Sequence, residues 1–130
     1  MTDFTIKKII YYHDTDSGGV VYYANYLKFF EEARTEFFRA KGINFNELIN
    51  QQILFCVSDV TIKYKAPACY ADELLVLTKI GSLGNVYIDF LHEIKKDGLF
   101  ICECKTRLVC IDKNFKPQQI PRDIAGILAI

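Results

Sequence analysis

Charge of one sign is what this sequence lacks first: its 130 residues carry 16 Lys and Arg against 16 Asp and Glu, a formal net charge of zero. With no basic surplus and no basic stripe, nothing recruits nucleic acid or an anionic membrane. Long apolar runs are missing too. No stretch approaches the ~18 apolar residues of a membrane span, and the opening MTDFTIKK has no signal-peptide core. Cysteine is present, at positions 56, 69, 102, 104 and 110, but as an odd count without a CxxC pair. A disulfide framework is therefore not expected, and His13 and His92 supply too few further ligands for zinc. The cysteines read as small buried hydrophobes of a reduced, cytoplasmic protein. Repeats, low-complexity tracts and Pro/Gly/Ser linkers are absent as well. Residues 1–130 are expected to form one domain, large enough to bury roughly two-thirds of its unfolded surface.

What is present is periodicity. Phe4 to Tyr12 is a strand candidate rich in Ile and Tyr. Tyr26, Phe30, Ala33, Phe37 and Ala40 then recur at alternating steps of four and three, the stripe of a helix, with Glu31, Arg34, Glu36 and Arg39 off it. Leu27, Phe29 and Phe38 widen the stripe until a wrapping sheet is required, and Gly42 stands where a C-terminal glycine cap belongs. Beyond residue 52 the period changes to two. Strands are expected at Val57 to Ala66, Glu73 to Ile80, Val86 to Lys95 and Phe100 to Ile111, with turns at Gly81 to Asn85 and Asp97-Gly98. In the last strand Phe100, Cys102, Cys104, Leu108 and Cys110 share one face, and Glu103, Lys105 and Arg107 the other. One face is buried and one wet. The expectation is an α+β fold, a curved antiparallel sheet around one long helix, whose free edges invite pairing with a second copy.

The chemistry concentrates in YYHDTDSGGVVYYANY, residues 11–26. As a calcium loop from Asp14, positions 1 and 3 are filled and Gly19 falls at position 6. Position 5 is Gly18 and position 12 Asn25, so two ligands are missing. A phosphatase nucleophile would need alternating strands and helices around a parallel sheet, which this chain does not have. The third reading uses the helix that follows. Its first N–H groups lack intrahelical partners and carry the positive end of the dipole. A Gly-Gly turn lets backbone approach closely, so a carboxylate beside those donors pairs a nucleophile or base with an oxyanion hole, as acyl transfer requires. The plain alternative is that Asp14 and Asp16 merely cap the helix and its turn.

The stretches YYHDTDSGGVVYYANYLKFFEEARTEFF, VTIKYKAPACYADEL and PQQIP cover nearly the whole chain. Together they resemble the hotdog-fold acyl-CoA thioesterases of the 4-hydroxybenzoyl-CoA thioesterase type, in particular the Tol–Pal-associated (YbgC) branch. The resemblance implies a hotdog fold and hydrolysis of acyl-CoA. It implies that Asp16 attacks the thioester or activates water, and that the Tyr23 backbone N–H polarises the carbonyl. In the nearest branch the Tyr23 position is often His. Substrate contact is implied for His13, Gly19, Val20, Tyr64 and Lys65, with Asp14 structural; for His13, which adjoins the loop, a hydrogen-bonded structural role and orientation of Asp16 are the alternatives. It further implies a homodimer or homotetramer with active sites between subunits, and no metal or redox cofactor, coenzyme A being part of the substrate. The basic turn that holds coenzyme A phosphates in aromatic-acyl relatives reads GSLGN here. Lys63, Lys65 or Lys79 are the substitutes, and an acyl carrier protein is a second possible donor. The rival from another class is a non-catalytic acyl-binding or scaffolding module.

Other residues attract structural expectations. His92 shares a strand phase with Ile88, Phe90 and Ile94 and is expected to be a satisfied core histidine. Glu32, Arg34 and Glu36 suit an ion-pair network on a helix or subunit surface. Ile120, Ile124, Ile127 and Leu128 have helical spacing around Pro121, a residue suited to a helix start, and would cover the sheet or equally serve an oligomer contact.

Overall fold

The computed structural model describes residues 4–129. Their order is β1 (Phe4–Ile9), α1 (Asn25–Ala40), α2 (Phe45–Asn50), β2 (Leu54–Tyr64), β3 (Glu73–Leu83), β4 (Tyr87–Lys96), β5 (Leu99–Ile111) and α3 (Arg122–Leu128). The five strands form one sheet in the order β1-β3-β4-β5-β2, with every neighbouring pair antiparallel. The long helix α1 lies against one face of it. This is the α+β hotdog arrangement, with β1 and β2 as its edges.

Alternation decides which face α1 covers. Val76, Thr78, His92, Ile94, Cys102 and Cys104 point toward the helix and are buried. Their sequence neighbours Leu77, Lys79, Leu91, Glu93, Glu103 and Lys105 line a groove of about 380 Å³ on the opposite face. The helix contributes Tyr26, Phe29, Phe30, Ala33, Phe37 and Phe38 to the core. Fully burying a side chain of this size is worth about 1.5–3 kcal/mol. Ile120, Ile124 and Leu128 of the α3 segment close the far end against Phe37, Phe38 and Phe90, as their spacing implied.

Several boundaries move for local reasons. β1 ends at Ile9 rather than Tyr12, because the chain turns through a single 3₁₀ turn at Tyr12–Asp14. β2 begins earlier, at Leu54, with an irregularity between Val57 and Asp59, and stops before Ala66-Pro67. β3 runs through the expected Gly81 turn to Leu83 by means of a bulge between Ile80 and Ser82. At that bulge the Leu91 side chain packs 2.9 Å from where a Cβ on Gly81 would stand. The Asp97-Gly98 turn has positive φ at both residues (49° and 82°), as a tight hairpin requires. The short helix α2 was not foreseen; Asn44 caps it by accepting from the N–H groups of Asn46 and Glu47.

Five side chains depart from expectation. Leu27 and Ala40 are exposed, so the buried stripe is narrower than the run of apolar letters. Arg34 is buried instead of lying off the stripe, and no carboxylate of the described residues pairs with it. Burial holds its guanidinium below its ordinary pKa. Glu32 and Glu36 do make surface pairs, with Lys8 and Arg39. Cys102, Cys104 and Cys110 are buried as expected, whereas Cys56 and Cys69 are exposed.

Candidate active site

The DTDSGG segment is a loop fastened at Asp14. That carboxylate is 6% exposed and accepts the Tyr11 N–H at 2.9 Å. The Asp14 carbonyl accepts both the Tyr22 N–H at 3.0 Å and the Asn25 side-chain amide at 2.9 Å. Entry and exit of the loop are thereby tied to one residue. His13 sits beside Asp14, with Nδ1 3.5 Å from Oδ1, and its largely exposed ring stacks on Tyr11.

Asp16 has the opposite character. It is exposed, and its Oδ1 accepts the Gly18 N–H at 2.8 Å. Its own N–H donates to the Val20 carbonyl at 2.9 Å, and its carbonyl accepts the Gly19 N–H at 3.0 Å. One carboxylate oxygen is oriented by backbone and the other, Oδ2, has no hydrogen bond among the described residues. The two glycines act differently. Gly19 holds φ +82°, where a side chain is strained, while a Cβ on Gly18 would press on Asp16 Oδ1 at 3.2 Å.

The helix start completes the arrangement. The N-cap position of α1 is Ala24, which has no side-chain cap. Neither Asp14 nor Asp16 accepts an N–H of α1 through its carboxylate, so neither is a helix cap. The Tyr22 carbonyl accepts the Asn25 N–H at 2.8 Å, and the Tyr23 carbonyl accepts the Tyr64 hydroxyl at 3.0 Å. Among the described residues the Tyr23 N–H has no acceptor. It is left open at the positive end of a 16-residue helix.

The facing wall is the 65–72 loop. The Val21 N–H donates to the Ala68 carbonyl at 2.8 Å, and Val20 is bridged to Cys69. Asp72 shapes this loop by accepting the Cys69 N–H at 2.7 Å and pairing with Lys96 at 2.8 Å. Burial works against the Asp72 charge, but Lys96 and the Cys69 N–H hold its carboxyl below the ordinary range. Around the opening Tyr11, Tyr12, Tyr22, Tyr23, Tyr64 and Tyr70 are all exposed. Among the described residues no group of three or more His, Cys, Asp or Glu side chains is placed to hold a metal.

The structure thus joins Asp16, Gly19 and Val20 in one turn by backbone hydrogen bonds, and Tyr23 to Tyr64 at the helix start. His13 stands beside Asp14 rather than Asp16. Lys65 opens the facing loop, its N–H bonded to the Ile101 carbonyl. Lys63 and Lys79 line the groove on the outer face of the sheet. Asn25 and the Ala68 carbonyl were not anticipated. An Asn at the first helical position after two tyrosines was the one available signal for Asn25. A backbone carbonyl such as that of Ala68 leaves no signal in a sequence.

The chain matches the model of the thioesterase-like superfamily over residues 11–128. It is 36% identical over 119 residues to the acyl-CoA thioester hydrolase YbgC of Escherichia coli, across 90% of this chain and 89% of that protein. It is 35% identical over 125 residues to the acyl-CoA thioesterase YbgC of Haemophilus influenzae, across 93% and 90%. The crystal structure of the DHNA-CoA thioesterase of Staphylococcus aureus superposes with a TM-score of 0.94 at 26% identity, covering 99% of this chain and 90% of that one.

Proposed function

The chain belongs to the thioesterase-like superfamily, and we propose that it hydrolyses the thioester of short-chain aliphatic or aromatic acyl-CoA to the free acid and coenzyme A. The observation that carries this reading is a loop, tied at Asp14 and Tyr22, that holds an exposed, backbone-oriented carboxylate at Asp16 and leads into the Tyr23 N–H, which has no acceptor among the described residues. The thioester carbonyl oxygen accepts from Tyr23 N–H, where negative charge develops as the carbon becomes tetrahedral. Loss of one such donor costs roughly 3 kcal/mol of barrier. Asp16 then acts in one of two ways. As nucleophile, it forms an acyl anhydride while the C–S bond breaks, and water hydrolyses the anhydride to restore the carboxylate. As general base, it takes a proton from water as the oxygen attacks, and the departing thiolate is protonated in turn. Neither route calls for a metal or redox cofactor.

Substrate contact falls to Gly19, Val20 and Tyr64 at the opening, with His13 at the loop entrance and Lys65 as the nearest candidate for coenzyme A phosphates. Assembly into a homodimer or homotetramer, with sites between subunits, is supported by the edge strand β2. Among the described residues its outer side carries no partner strand, and Val57, Val60 and Tyr64 on it are exposed. Among the described residues no helix is long and apolar enough to cross a membrane. Unpaired cysteines suit the reducing cytoplasm, where we place the protein.

The test is thiol release from a panel of acyl-CoAs by the wild type and Asp16→Asn. Turnover that falls at least about a hundredfold in the folded variant supports the reading. Wild-type activity on acyl carrier protein thioesters alone would move the donor. Binding without turnover on either donor would replace hydrolase with acyl-binding module.

A further inference from the structure

We propose that Tyr64 is a positioning residue, whose hydroxyl fixes the peptide plane after Tyr23 and so aims the Tyr23 N–H into the site. The inference rests on the thioester hydrolase reading above and assigns Tyr64 a task other than touching substrate.

The argument begins with the Tyr23 carbonyl. Inside a helix it would accept from the N–H four residues on, but the Leu27 N–H donates to Ala24 instead, at 3.2 Å. Among the described residues the Tyr64 hydroxyl, at 3.0 Å, is its only partner. The peptide that carries the Tyr23 N–H is already held on its other side, where the Tyr22 carbonyl accepts the Asn25 N–H. That N–H swings only by a crankshaft rotation about ψ of Tyr22 and φ of Tyr23. Pinning the Tyr23 carbonyl removes the compensating freedom at Tyr23 itself. Tyr64 is the part of this clamp that comes from outside the loop, 41 residues away in sequence.

Its own placement is firm. Tyr64 closes β2 directly opposite Cys102 of β5, on the face that α1 covers. Its ring meets Tyr23 edge-on at 6.4 Å and the buried Tyr26 at 5.7 Å. Partial burial raises its phenol above the ordinary pKa, so the hydroxyl is a donor at neutral pH. The sheet edge thereby sets the direction of a donor on the helix.

Tyr64→Phe keeps the ring contacts and removes only the hydroxyl. The expected result is a fall in kcat of about three- to tenfold, from a single exposed hydrogen bond, with KM within about twofold. The melting temperature should be unchanged. The ¹³C resonance of the Tyr23 carbonyl should move with loss of its hydrogen bond, and the Tyr23 amide signal should broaden. An unchanged kcat, a rise in KM alone, or an unmoved Tyr23 carbonyl resonance overturns the proposal. If the wild type turns over no acyl-CoA, the hydrolase reading fails. The carbonyl resonance then still decides, by itself, whether Tyr64 holds the Tyr23 peptide.

Discussion

The two ends of α1 hold aromatic rings of different kinds, and the difference separates stability from chemistry. At the C-terminal end Phe37 and Phe38 meet Phe90 at 5.6 and 5.5 Å, with Phe45 and Phe55 around Phe38. These rings have no polar atom to satisfy and close the core. The backbone there is closed as well. Lys41, Gly42 and Ile43 turn their N–H groups back onto the carbonyls of Phe37, Arg39 and Phe38, with Gly42 at φ +80°. At the N-terminal end the rings are tyrosines: Tyr26 is buried, while Tyr22, Tyr23 and Tyr64 are exposed, each with a hydroxyl that tolerates water. There the helix has no side-chain cap, and among the described residues the Tyr23 N–H is one of several without an acceptor. A binding site needs open donors, and this helix presents them at its N-terminal end.

The comparison breaks most visibly in the core. Phe38→Ala should lower the unfolding free energy by about 4 kcal/mol, read from urea unfolding, because a ring 1% exposed leaves a cavity. Its kcat at a temperature where it stays folded should remain close to wild type. Asp16→Asn is the mirror case: activity should fall at least about a hundredfold, on the order of 3 kcal/mol of barrier. The melting temperature should not drop, since the exposed Asp16 carboxylate accepts only the Gly18 N–H among the described residues. A variant at either end that altered both quantities equally would show that the two regions are not separable.

Between the two ends lies His92, stacked on Phe30 at 4.9 Å, with Nδ1 3.0 Å from Thr78 Oγ1. The expected core histidine is there, though only half satisfied, because Nε2 has no partner among the described residues. Burial first, then the nearby Arg34 charge, push its pKa down to about 3. In the unfolded chain His92 takes up a proton near pH 6.5, while in the fold it stays neutral to about pH 3. The unfolded state therefore binds more protons within that window, and stability must fall as pH drops through it. Relative to His92→Gln, the wild type should lose about 2 kcal/mol between pH 7.5 and pH 5. Parallel stability curves for the two proteins would show that His92 titrates normally.

Sequence reading succeeded where periodicity rules and lost accuracy where single hydrogen bonds decide. The α1 stripe and the Asp97-Gly98 hairpin were legible because Phe30, Phe37 and the turn pair obey local rules. α2 was missed because FNELIN is too short to show a period, and its start depends on one capping side chain, Asn44. Arg34 was assigned to the surface on charge, but the sheet curls over that face of the helix. In the DTDSGG loop the residue types suggested a carboxylate and donors. Which acid was buried rested on contacts between Asp14 and residues up to 11 positions away, and composition carries no trace of those.

The two helix starts make the last and smallest contrast. α2 is capped: Asn44 Oδ1 accepts the Asn46 N–H at 2.9 Å and the Glu47 N–H at 3.3 Å. α1 has Ala24 in the same position and no side-chain acceptor. If an unfilled helix start is kept for chemistry, a filled one should contribute only to stability. Asn44→Ala is then expected to cost about 1 kcal/mol in urea unfolding. Acyl-CoA turnover should stay within about twofold, because α2 packs against the phenylalanine end and reaches none of the loop residues. A loss of turnover comparable to that of Tyr64→Phe would mean that order at the closed end propagates along α1 to the open one. The division of the helix into a stabilising and a reactive end would then have to be given up.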